Sequence, residues 1–292
     1  MDQPLISVLM TAYNREKYIA ESIESVLRST YTNFELIIVD DTSSDETVQI
    51  ARSYEEKDNR VKVFINEKNL GDYPNRNKAA SYAAGKYLKY VDSDDRIYPQ
   101  TLEIMVEAME RYPEASLGIS SRYENKPGVG QFHLLSPGEA YQKHFFEFGF
   151  LDNGPSFTIV KRSAFEEMGG FGLKRNVSDM EMWLKMSSKY NTVLMPAELI
   201  IWRQHPDQEF HVAPDCYLEH SYTILKTVLS KQDSPLPEAS SQSILKKYKK
   251  ITLINIVKHF RSNKSIKRCS ELMKMNGLKL KDYFIFLREK RH

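Results

Sequence analysis

Three carboxylates stand within four residues at the point where an apolar run ends. Residues 87–91 have the character of a buried strand, and Asp92, Asp94 and Asp95 follow it directly. Like charges this close repel one another unless a cation or a ligand neutralises them. The cluster therefore indicates a divalent-metal site at the end of a strand, or else an acidic loop that is simply solvated.

The segments before this cluster alternate between short apolar runs and helical patterns. We predict strands at residues 5–10, 34–39, 61–65 and 87–91, and helices at about 16–28, 48–54 and 75–84. Asn14 is the expected N-cap of the first helix, and Gly85 is expected to terminate the third. Near-continuous apolar strands that alternate with helices are typical of an α/β fold with a mostly parallel sheet covered on both faces.

Three polar loops should meet at one edge of this sheet, because each follows a predicted strand. They are Thr11-Ala12-Tyr13-Asn14, Asp40-Asp41 and Asp92-Ser93-Asp94. Ligands of such sheets bind outside the carboxyl ends of the strands, where these loops converge. The turn and cap preferences of Asp, Ser and Asn explain any one loop, whereas three loops together favour a shared pocket.

The next part of the chain, from about residue 116 to 211, has weaker periodicity. A Gly- and Pro-rich loop is predicted at 126–130, and Ser178 is a favoured N-cap residue for a helix over 179–189. An aromatic patch is expected to be core rather than a binding platform. It consists of Phe145, Phe146, Phe148 and Phe150. Breakers and small polar residues predict a linker at 234–241.

Positive charge is concentrated at the C-terminal end. Residues 244–292 contain 15 Lys and Arg against 3 acidic residues, whereas the rest of the chain contains 26 against 36. The acidic body would be a poor nucleic-acid binder. The amphipathic basic helices predicted after the linker would either pack on the domain with a solvated charged face or contact an anionic surface such as a membrane.

Nothing in the sequence indicates export or a membrane span. No window approaches the roughly 20 apolar residues that a membrane-spanning helix needs, and the first residues lack a basic region followed by a hydrophobic one. We therefore expect a cytoplasmic location. Cys216 and Cys269 lie far apart and in no ligand-like spacing, so neither a disulfide framework nor a zinc site is expected.

A set of short motifs follows a fixed order over about the first 210 residues. The motifs lie at residues 7–14, 35–45, 69–71 with Arg76-Asn77, 85–87, 92–95, 154–156, 169–171 and 178–183. In order and spacing the set resembles family 2 glycosyltransferases of the GT-A fold. The resemblance implies a Rossmann-like, mostly parallel central sheet with helices on both faces, here followed by a C-terminal helical appendage.

The resemblance also implies transfer of a sugar from a nucleotide diphosphate donor, usually a UDP-sugar, to an acceptor hydroxyl with inversion at the anomeric carbon. The loop of residues 11–14 would cradle the base and ribose, and Asp41 or its neighbour Asp40 would hydrogen-bond the base. Arg76 would assist the phosphates of the donor, a role that we weigh against that of a helix-surface cation.

By the same resemblance, the acidic cluster would hold Mn²⁺ or Mg²⁺ beside the diphosphate. Asp94 would bind the metal directly, Asp92 would contact the ribose or the metal, and Asp95 would orient its neighbours. Ser93 lies in the same donor-binding loop. His205, which ends a motif similar to the family's Tyr-Arg-x-His, is a further candidate metal ligand. A divalent cation held in this way can neutralise the charge that develops on the departing diphosphate.

Asp179 is the candidate general base, because an acceptor hydroxyl must lose its proton as the new bond forms. It occupies the place of the second acidic residue in the family's Glu-Asp pair, and Ser178 stands where Glu is common. Glu181 is the fallback base. The alternative role for Asp179 is to complement the dipole of its helix.

These assignments divide the chain into a donor-binding half at 1–115, an acceptor-binding half with the base at 116–232, and a basic helical appendage at 233–292. We expect a metal-dependent, inverting glycosyltransferase of bacterial surface polysaccharide or lipopolysaccharide biosynthesis. Its partners would be a nucleotide sugar and a glycan or lipid-linked acceptor, with peripheral contact of the basic helices to the inner face of the plasma membrane. The missing Gln-x-x-Arg-Trp signature favours a single transfer over processive synthesis.

Two other function classes remain open at this point. A sugar-nucleotide nucleotidyltransferase would need a Gly-rich phosphate loop after the first strand, which residues 11–14 do not provide. A non-catalytic glycan- or partner-binding module of the same fold would be expected to have lost the metal or base residues, whereas Asp92, Asp94 and Asp179 are present.

Overall fold

The chain forms two compact units. The computed structural model describes residues 3–120, 131–174, 176–196, 199–205, 208, 216–230, 234–279 and 281–282, and the loop predicted at 126–130 lies outside them. The first unit runs from the N-terminus to Leu173 and from Ser178 to Gln204. The second unit holds Lys174–Val177 and the chain from His205 onward.

Within the described residues, ten strands form a large sheet and a small antiparallel ribbon. They are β1 (Ile6–Ala12), β2 (Phe34–Asp40), β3 (Val61–Ile65), β4 (Tyr87–Tyr90), β5 (Arg96–Ile97), β6 (Ala115–Ser120), β7 (His133–Leu135), β8 (Thr158–Lys161), β9 (Asn191–Met195) and β10 (Ile200–Ile201). The large sheet has the order β3-β2-β1-β4-β8-β6-β9-β7, and β10 pairs with β5.

The first four strands form the parallel part of the sheet. β1 pairs in parallel with β2 and β4, and β2 pairs in parallel with β3. Every residue of β2, and every residue of β1 except Thr11, is buried, as expected for near-continuous apolar strands covered on both faces. The loops after β1, β2 and β4 therefore leave the sheet at one edge, as the sequence predicts.

β8 lies between β4 and β6 and is antiparallel to both. The remaining pairs are β6 with β9 in parallel and β7 with β9 antiparallel. One sheet thus joins the two halves that the sequence divides at residue 115, where β6 begins. The first compact unit holds the predicted donor-binding half together with residues 116–173 and 178–204 of the predicted acceptor-binding half, and the division into these halves stays a prediction.

Helices cover both faces of the sheet and build the second unit. In the first unit they are α1 (Ile19–Leu27), α2 (Thr47–Glu55), α3 (Asp72–Ser81), α4 (Thr101–Arg111), α5 (Pro137–Phe146), α6 (Arg162–Glu167) and α7 (Ser178–Lys189). In the second unit they are α8 (Ser221–Leu229), α9 (Glu238–Asn263) and α10 (Ile266–Met275). The predicted α/β architecture with a C-terminal helical region is confirmed.

The predicted capping role of Asn14 is wrong. α1 begins only at Ile19, and Asn14 adopts a left-handed conformation with φ of 50°. Its side-chain oxygen accepts a hydrogen bond from the amide of Ser44 at 2.9 Å. Asn tolerates this conformation better than most residues. A contact between two loops, and not a helix terminus, therefore explains an asparagine at this position.

Three of the four clustered phenylalanines lie in the core, as predicted. Phe145, Phe148 and Phe150 are at most 7% exposed, whereas Phe146 is 49% exposed. The predicted linker is shorter than expected, because α9 already begins at Glu238. No helix in the described part of the chain combines the length and apolarity of a membrane span.

The second unit has its own apolar cluster. Tyr222 from α8, Leu253 and Ile256 from α9 and Leu272 from α10 are buried against one another, with Leu278 beyond the last helix. The inner stripe of the predicted basic helices therefore packs within this unit, and contact of their basic face with a membrane stays a prediction.

The expected helix-ending role of Gly85 is also wrong, because α3 ends at Ser81. The Gly85 amide instead donates to Ser7 Oγ at 2.8 Å, and a Cβ at this position would lie 2.5 Å from the Ser7 amide nitrogen and 2.8 Å from the Leu5 carbonyl oxygen. Glycine is needed here for a close approach of two backbones.

Gly85→Ala should therefore lower the free energy of unfolding by about 1–3 kcal/mol, because neither backbone contact can move like a flexible side chain. Urea unfolding measures the change, with the m-value as a check on two-state behaviour. Gly154→Ala is the matched control, since Gly154 has φ of −64° and, apart from its chain neighbours, no described residue has an atom within 4 Å of the position that an added methyl group would take. Equal losses in the two variants would contradict the close-approach explanation.

Candidate active site

Hydrogen bonds join the loops after β1 and β2. The amide of Asn14 donates to Ser43 Oγ at 2.8 Å, and the amide of Arg15 donates to Thr47 Oγ1 at 2.7 Å. Asp40 is buried and accepts from the Ser43 amide at 2.8 Å. In the first loop, Tyr13 is 50% exposed, so its ring is available at this edge of the sheet.

Asp41 organises a neighbouring loop. Its carboxylate accepts from the amides of Leu70 and Gly71, each at 2.8 Å, and from Asn66 Nδ2 at 2.7 Å. The side chain is only 3% exposed. These contacts explain why the Asn69-Leu70-Gly71 motif accompanies the acidic pair. Contact of Asp40 or Asp41 with a nucleotide base stays a prediction.

Arg76 is a buried bridge and not a helix-surface cation. It is 8% exposed, and its guanidinium contacts Asp72 Oδ1 and Asp92 Oδ1, both at 2.7 Å. Burial opposes the charge on Arg76, yet Asp72 and then Asp92 hold its pKa well above the ordinary value. α3 thus places a permanent cation against the first carboxylate of the acidic loop.

A second arginine contacts the next carboxylate. Arg15 Nε donates to Asp94 Oδ2 at 3.1 Å, and the Asp94 side chain is 14% exposed. Between the two carboxylates, Ser93 is buried, and its carbonyl accepts from Ser22 Oγ at 2.9 Å. The acidic loop is therefore neutralised by arginines on two sides and anchored to α1.

Asp95 lies beneath this loop. It is 2% exposed and accepts from the amide of Arg203 at 3.1 Å. Burial, followed by the charges of Asp92 and Asp94, raises the pKa of Asp95 to about 8. This is consistent with the predicted orienting role, since a buried carboxyl fixed to the backbone can support its neighbours.

Lys89 and Ser156 form a support that the motifs do not reveal. Lys89 is fully buried on β4 and donates to the carbonyl of Ser156, while Ser156 Oγ accepts from the Asp92 amide at 3.1 Å. Burial lowers the pKa of Lys89 to about 7, against the opposing effect of Asp92 and Asp95. The sequence signal that could have revealed this support is the presence of a lysine, Lys89, within an otherwise apolar strand.

Asp179 lies partly buried in the first turn of α7. Its Oδ1 accepts from the Met180 amide at 2.7 Å. Burial raises the pKa of Asp179 to about 6, although hydrogen bonds from Met180 and from the Tyr73 hydroxyl favour the carboxylate. A carboxyl with this pKa is mostly ionised at neutral pH and can accept a proton.

α3 links this carboxylate to the acidic loop. Tyr73, which is 4% exposed, contacts Asp179, and Arg76, one turn later on the same helix, contacts Asp92. The structure therefore brings the predicted base and the predicted donor loop to opposite ends of one helical turn. Tyr73 was missed by the sequence analysis, because a tyrosine in a helix carries no local signal of such a contact.

The other two candidates are placed differently. Glu181 is largely buried and forms an ion pair with Lys185 at 2.8 Å on its own helix. His205 belongs to the second compact unit, where its amide donates to Gln208 Oε1 at 3.3 Å. Its role as a metal ligand stays a prediction.

The acidic loop has the chemistry of a small divalent-cation site. Mg²⁺ and Mn²⁺ prefer oxygen ligands, and Asp92 and Asp94 present carboxylate oxygens on one loop. Among the described residues, no group of three or more His, Cys, Asp or Glu side chains is arranged to hold a metal. Two carboxylates fit a cation whose remaining ligands come from phosphate oxygens and water.

The parallel sheet, its carboxyl-edge loops and the antiparallel return strand have the arrangement of the GT-A fold. The sequence profile of "Glycosyl transferase family 2" matches residues 7–169, which is more than half of the chain. The protein therefore belongs to glycosyl transferase family 2. This assignment favours glycosyl transfer over the nucleotidyl transfer that the sequence left open.

Two relatives illustrate the similarity at the sequence level. The uncharacterized glycosyltransferase MJ1057 of Methanocaldococcus jannaschii is 42% identical over 125 residues, or 42% of this chain and 43% of that protein. WfgD of Escherichia coli, a UDP-Glc:alpha-D-GlcNAc-diphosphoundecaprenol beta-1,3-glucosyltransferase, is 41% identical over 109 residues, or 37% of this chain and 42% of that protein. The matching part of this chain spans less than half the length of either relative.

Solved structures show the same fold. Staphylococcus aureus TarS 1-349 in complex with UDP superposes with a TM-score of 0.71 at 21% identity, covering 98% of this chain and 81% of that one. The mannosyltransferase PcManGT of Pyrobaculum calidifontis, in complex with GDP-Man and Mn²⁺, gives a TM-score of 0.62 at 15% identity, covering 99% and 87%.

If Asp179 acts as the predicted base, Tyr73→Phe should move the acidic limb of the kcat/KM pH profile to higher pH by about one pH unit, because the Asp179 carboxylate loses a hydrogen bond that favours its ionised form. Steady-state transfer assays across pH 5–8 measure this, with the limb expected near the pKa of about 6 in the wild type. Tyr141→Phe is the control, since the Tyr141 hydroxyl donates to the Leu184 carbonyl at 2.8 Å. An unmoved limb in Tyr73→Phe would contradict the assignment.

Proposed function

We propose that this protein is an inverting, metal-assisted glycosyltransferase that moves a sugar from a UDP-sugar to an acceptor hydroxyl. The observation that carries the proposal is the turn of α3 that contacts both Asp92 and Asp179. It keeps a carboxylate suited to the donor side and a carboxylate suited to proton removal at a fixed separation. Family membership and the UDP complex of the TarS fold relative support the donor class.

The donor would occupy the edge of the sheet beyond β1, β2 and β4. We assign the nucleoside to the loop of Thr11, Ala12, Tyr13 and Asn14, with Asp40 and Asp41 beneath it. Asp94 and Asp92 would hold Mn²⁺ or Mg²⁺, and the ion would neutralise charge on the leaving diphosphate. Arg76 holds Asp92 in place through an ion pair, and Arg15 does the same for Asp94.

Asp179 would remove the acceptor proton. The acceptor oxygen forms a bond to the anomeric carbon as its proton passes to the carboxylate, and the bond from that carbon to the diphosphate oxygen breaks with both electrons leaving on the diphosphate. A single displacement of this kind inverts the anomeric centre. Only the ionised carboxylate can act, so the rate should fall as pH drops through the pKa of about 6.

We propose a bacterial surface glycan, free or lipid-linked, as the acceptor. The E. coli relative is named for a sugar-diphosphoundecaprenol acceptor, which supports this class. A lipid-linked acceptor would place the enzyme at the inner face of the plasma membrane, and we assign that contact to the basic C-terminal helices. His205 remains a candidate for the metal or the diphosphate.

Donor binding can be tested by thermal unfolding with UDP-, GDP- and dTDP-sugars, with and without Mn²⁺. A UDP-sugar at 100 times its Kd should stabilise the native state by about 2.7 kcal/mol, and Asp94→Asn should remove most of the Mn²⁺-dependent part. Glu107→Gln, a change at an exposed carboxylate of α4, should leave it intact. Stabilisation by none of the nucleotide sugars would refute the proposal.

Asp179→Asn should lower kcat by about 10²- to 10⁴-fold while nucleotide-sugar stabilisation stays at the wild-type level, because the amide cannot accept the proton. Glu181→Gln is the comparison on the same helix and should retain activity within about tenfold. If Glu181→Gln were the inactive variant and Asp179→Asn the active one, Glu181 would be the base.

A further inference from the structure

The turn between α9 and α10 forms a compact helical corner. α9 ends at Asn263, Lys264 adopts a left-handed conformation with φ of 55°, and Ser265 caps α10 by accepting from the Arg268 amide at 3.2 Å. Two residues thus connect the two helices. We refer to residues 258–267 as the hairpin tip.

The hairpin tip is rich in exposed cations. Lys258, Arg261, Lys264 and Lys267 are all exposed, and none of these four forms an ion pair with a described acidic residue. Residues 239–270 contain nine Lys and Arg and no Asp or Glu. Arg268 differs, because it pairs with Glu219 and Glu271.

Apolar side chains stand among these cations. Ile266, the first residue of α10, is 75% exposed, and Phe260 is 36% exposed. Further along the same helices, Leu253, Ile256 and Leu272 are at most 4% exposed. The second unit therefore buries the apolar side chains along the middle of these helices, whereas apolar side chains near the basic residues of the hairpin tip stay exposed. Exposed apolar and basic residues side by side are typical of a segment that binds at a membrane interface.

We propose that the hairpin tip docks on an anionic lipid bilayer, with Ile266 and Phe260 entering the headgroup region and the four cations contacting anionic headgroups. Lipid fits better than nucleic acid, because a phosphate backbone offers cation contacts but no apolar layer for an exposed isoleucine. The docking rests on the proposed function only for its biological purpose, because it would bring the enzyme to a lipid-linked acceptor. Binding of the protein to lipid can be measured without any substrate.

Vesicle flotation of the full chain tests the docking. The protein should float with phosphatidylcholine vesicles that contain phosphatidylglycerol and remain behind with pure phosphatidylcholine. Arg261→Ser with Lys264→Ser should lower partitioning by roughly 10- to 30-fold, since each cation near an anionic surface is worth about fivefold. Ile266→Ser should lower it by roughly tenfold through the lost apolar insertion.

The matched control is Lys246→Ser with Lys247→Ser. These exposed lysines lie on α9 about 20 Å from the tip, and their loss changes the net charge by the same amount. Partitioning should change by less than about twofold, because separation beyond the Debye length screens them from the contact. Circular dichroism and thermal unfolding verify that each variant is folded.

Equal losses in the two charge pairs would show attraction by net charge and overturn the proposal, as would an unchanged Ile266→Ser variant. Binding of the wild type to duplex DNA but not to anionic vesicles would make nucleic acid the partner. An assay of sugar transfer to a soluble acceptor separates the docking proposal from the proposed function. Hairpin-tip variants that no longer float with vesicles should retain transfer activity. A wild-type chain that floats but transfers no sugar would contradict only the transferase assignment.

Discussion

The site depends on the placement of one buried guanidinium. Asp92, Asp94 and Asp95 lie within four residues, and their mutual repulsion would spread the loop apart without cations nearby. Arg76 reaches Asp92 from α3, Arg15 reaches Asp94 from the loop after β1, and Lys89 lies underneath on β4. Of the three, Arg76 alone also pairs with a second carboxylate of its own helix, Asp72, so the position of α3 fixes the position of the acidic loop.

Burial and charge divide the carboxyl groups of this region into different roles. Asp95 is buried beside two other acids, so its pKa rises to about 8, and it favours a neutral, structural state. Asp179 is also desolvated and its pKa rises to about 6, but Met180, Tyr73 and Arg76 limit the rise. A carboxyl whose pKa lies just below neutrality can both exist as a base at physiological pH and hold a proton after it has been transferred. Asp179, on α7, meets this condition, whereas Asp95, below the acidic loop, favours the protonated form.

The sequence allowed the parallel strands and their polar loops to be predicted, because apolar runs and strand-end acids are local signals. It did not allow β8 to be predicted, since four residues that pair antiparallel with β4 carry too short a pattern. Tyr73 and Lys89 were missed for a related reason: their contacts join segments far apart in the chain. Asn14 and Gly85 were correctly placed outside regular elements, but the wrong cause was assigned to each. Asn is favoured both at helix caps and in contacts between loops, and Gly is favoured both at helix ends and where two backbones approach closely.

The contact of Ser156 with the Asp92 amide has a consequence for how the protein is made. A nascent chain that has left the ribosome through residue 115 contains the acidic loop and Arg76, yet it lacks both β8 and the Ser156 hydroxyl that accepts the hydrogen bond from the Asp92 amide. The acidic loop can reach its final form only after Ser156 has emerged and the return strand has inserted beside β4. Synthesis from the N-terminus therefore delays completion of the contacts of the acidic loop until residues 156–161 exist.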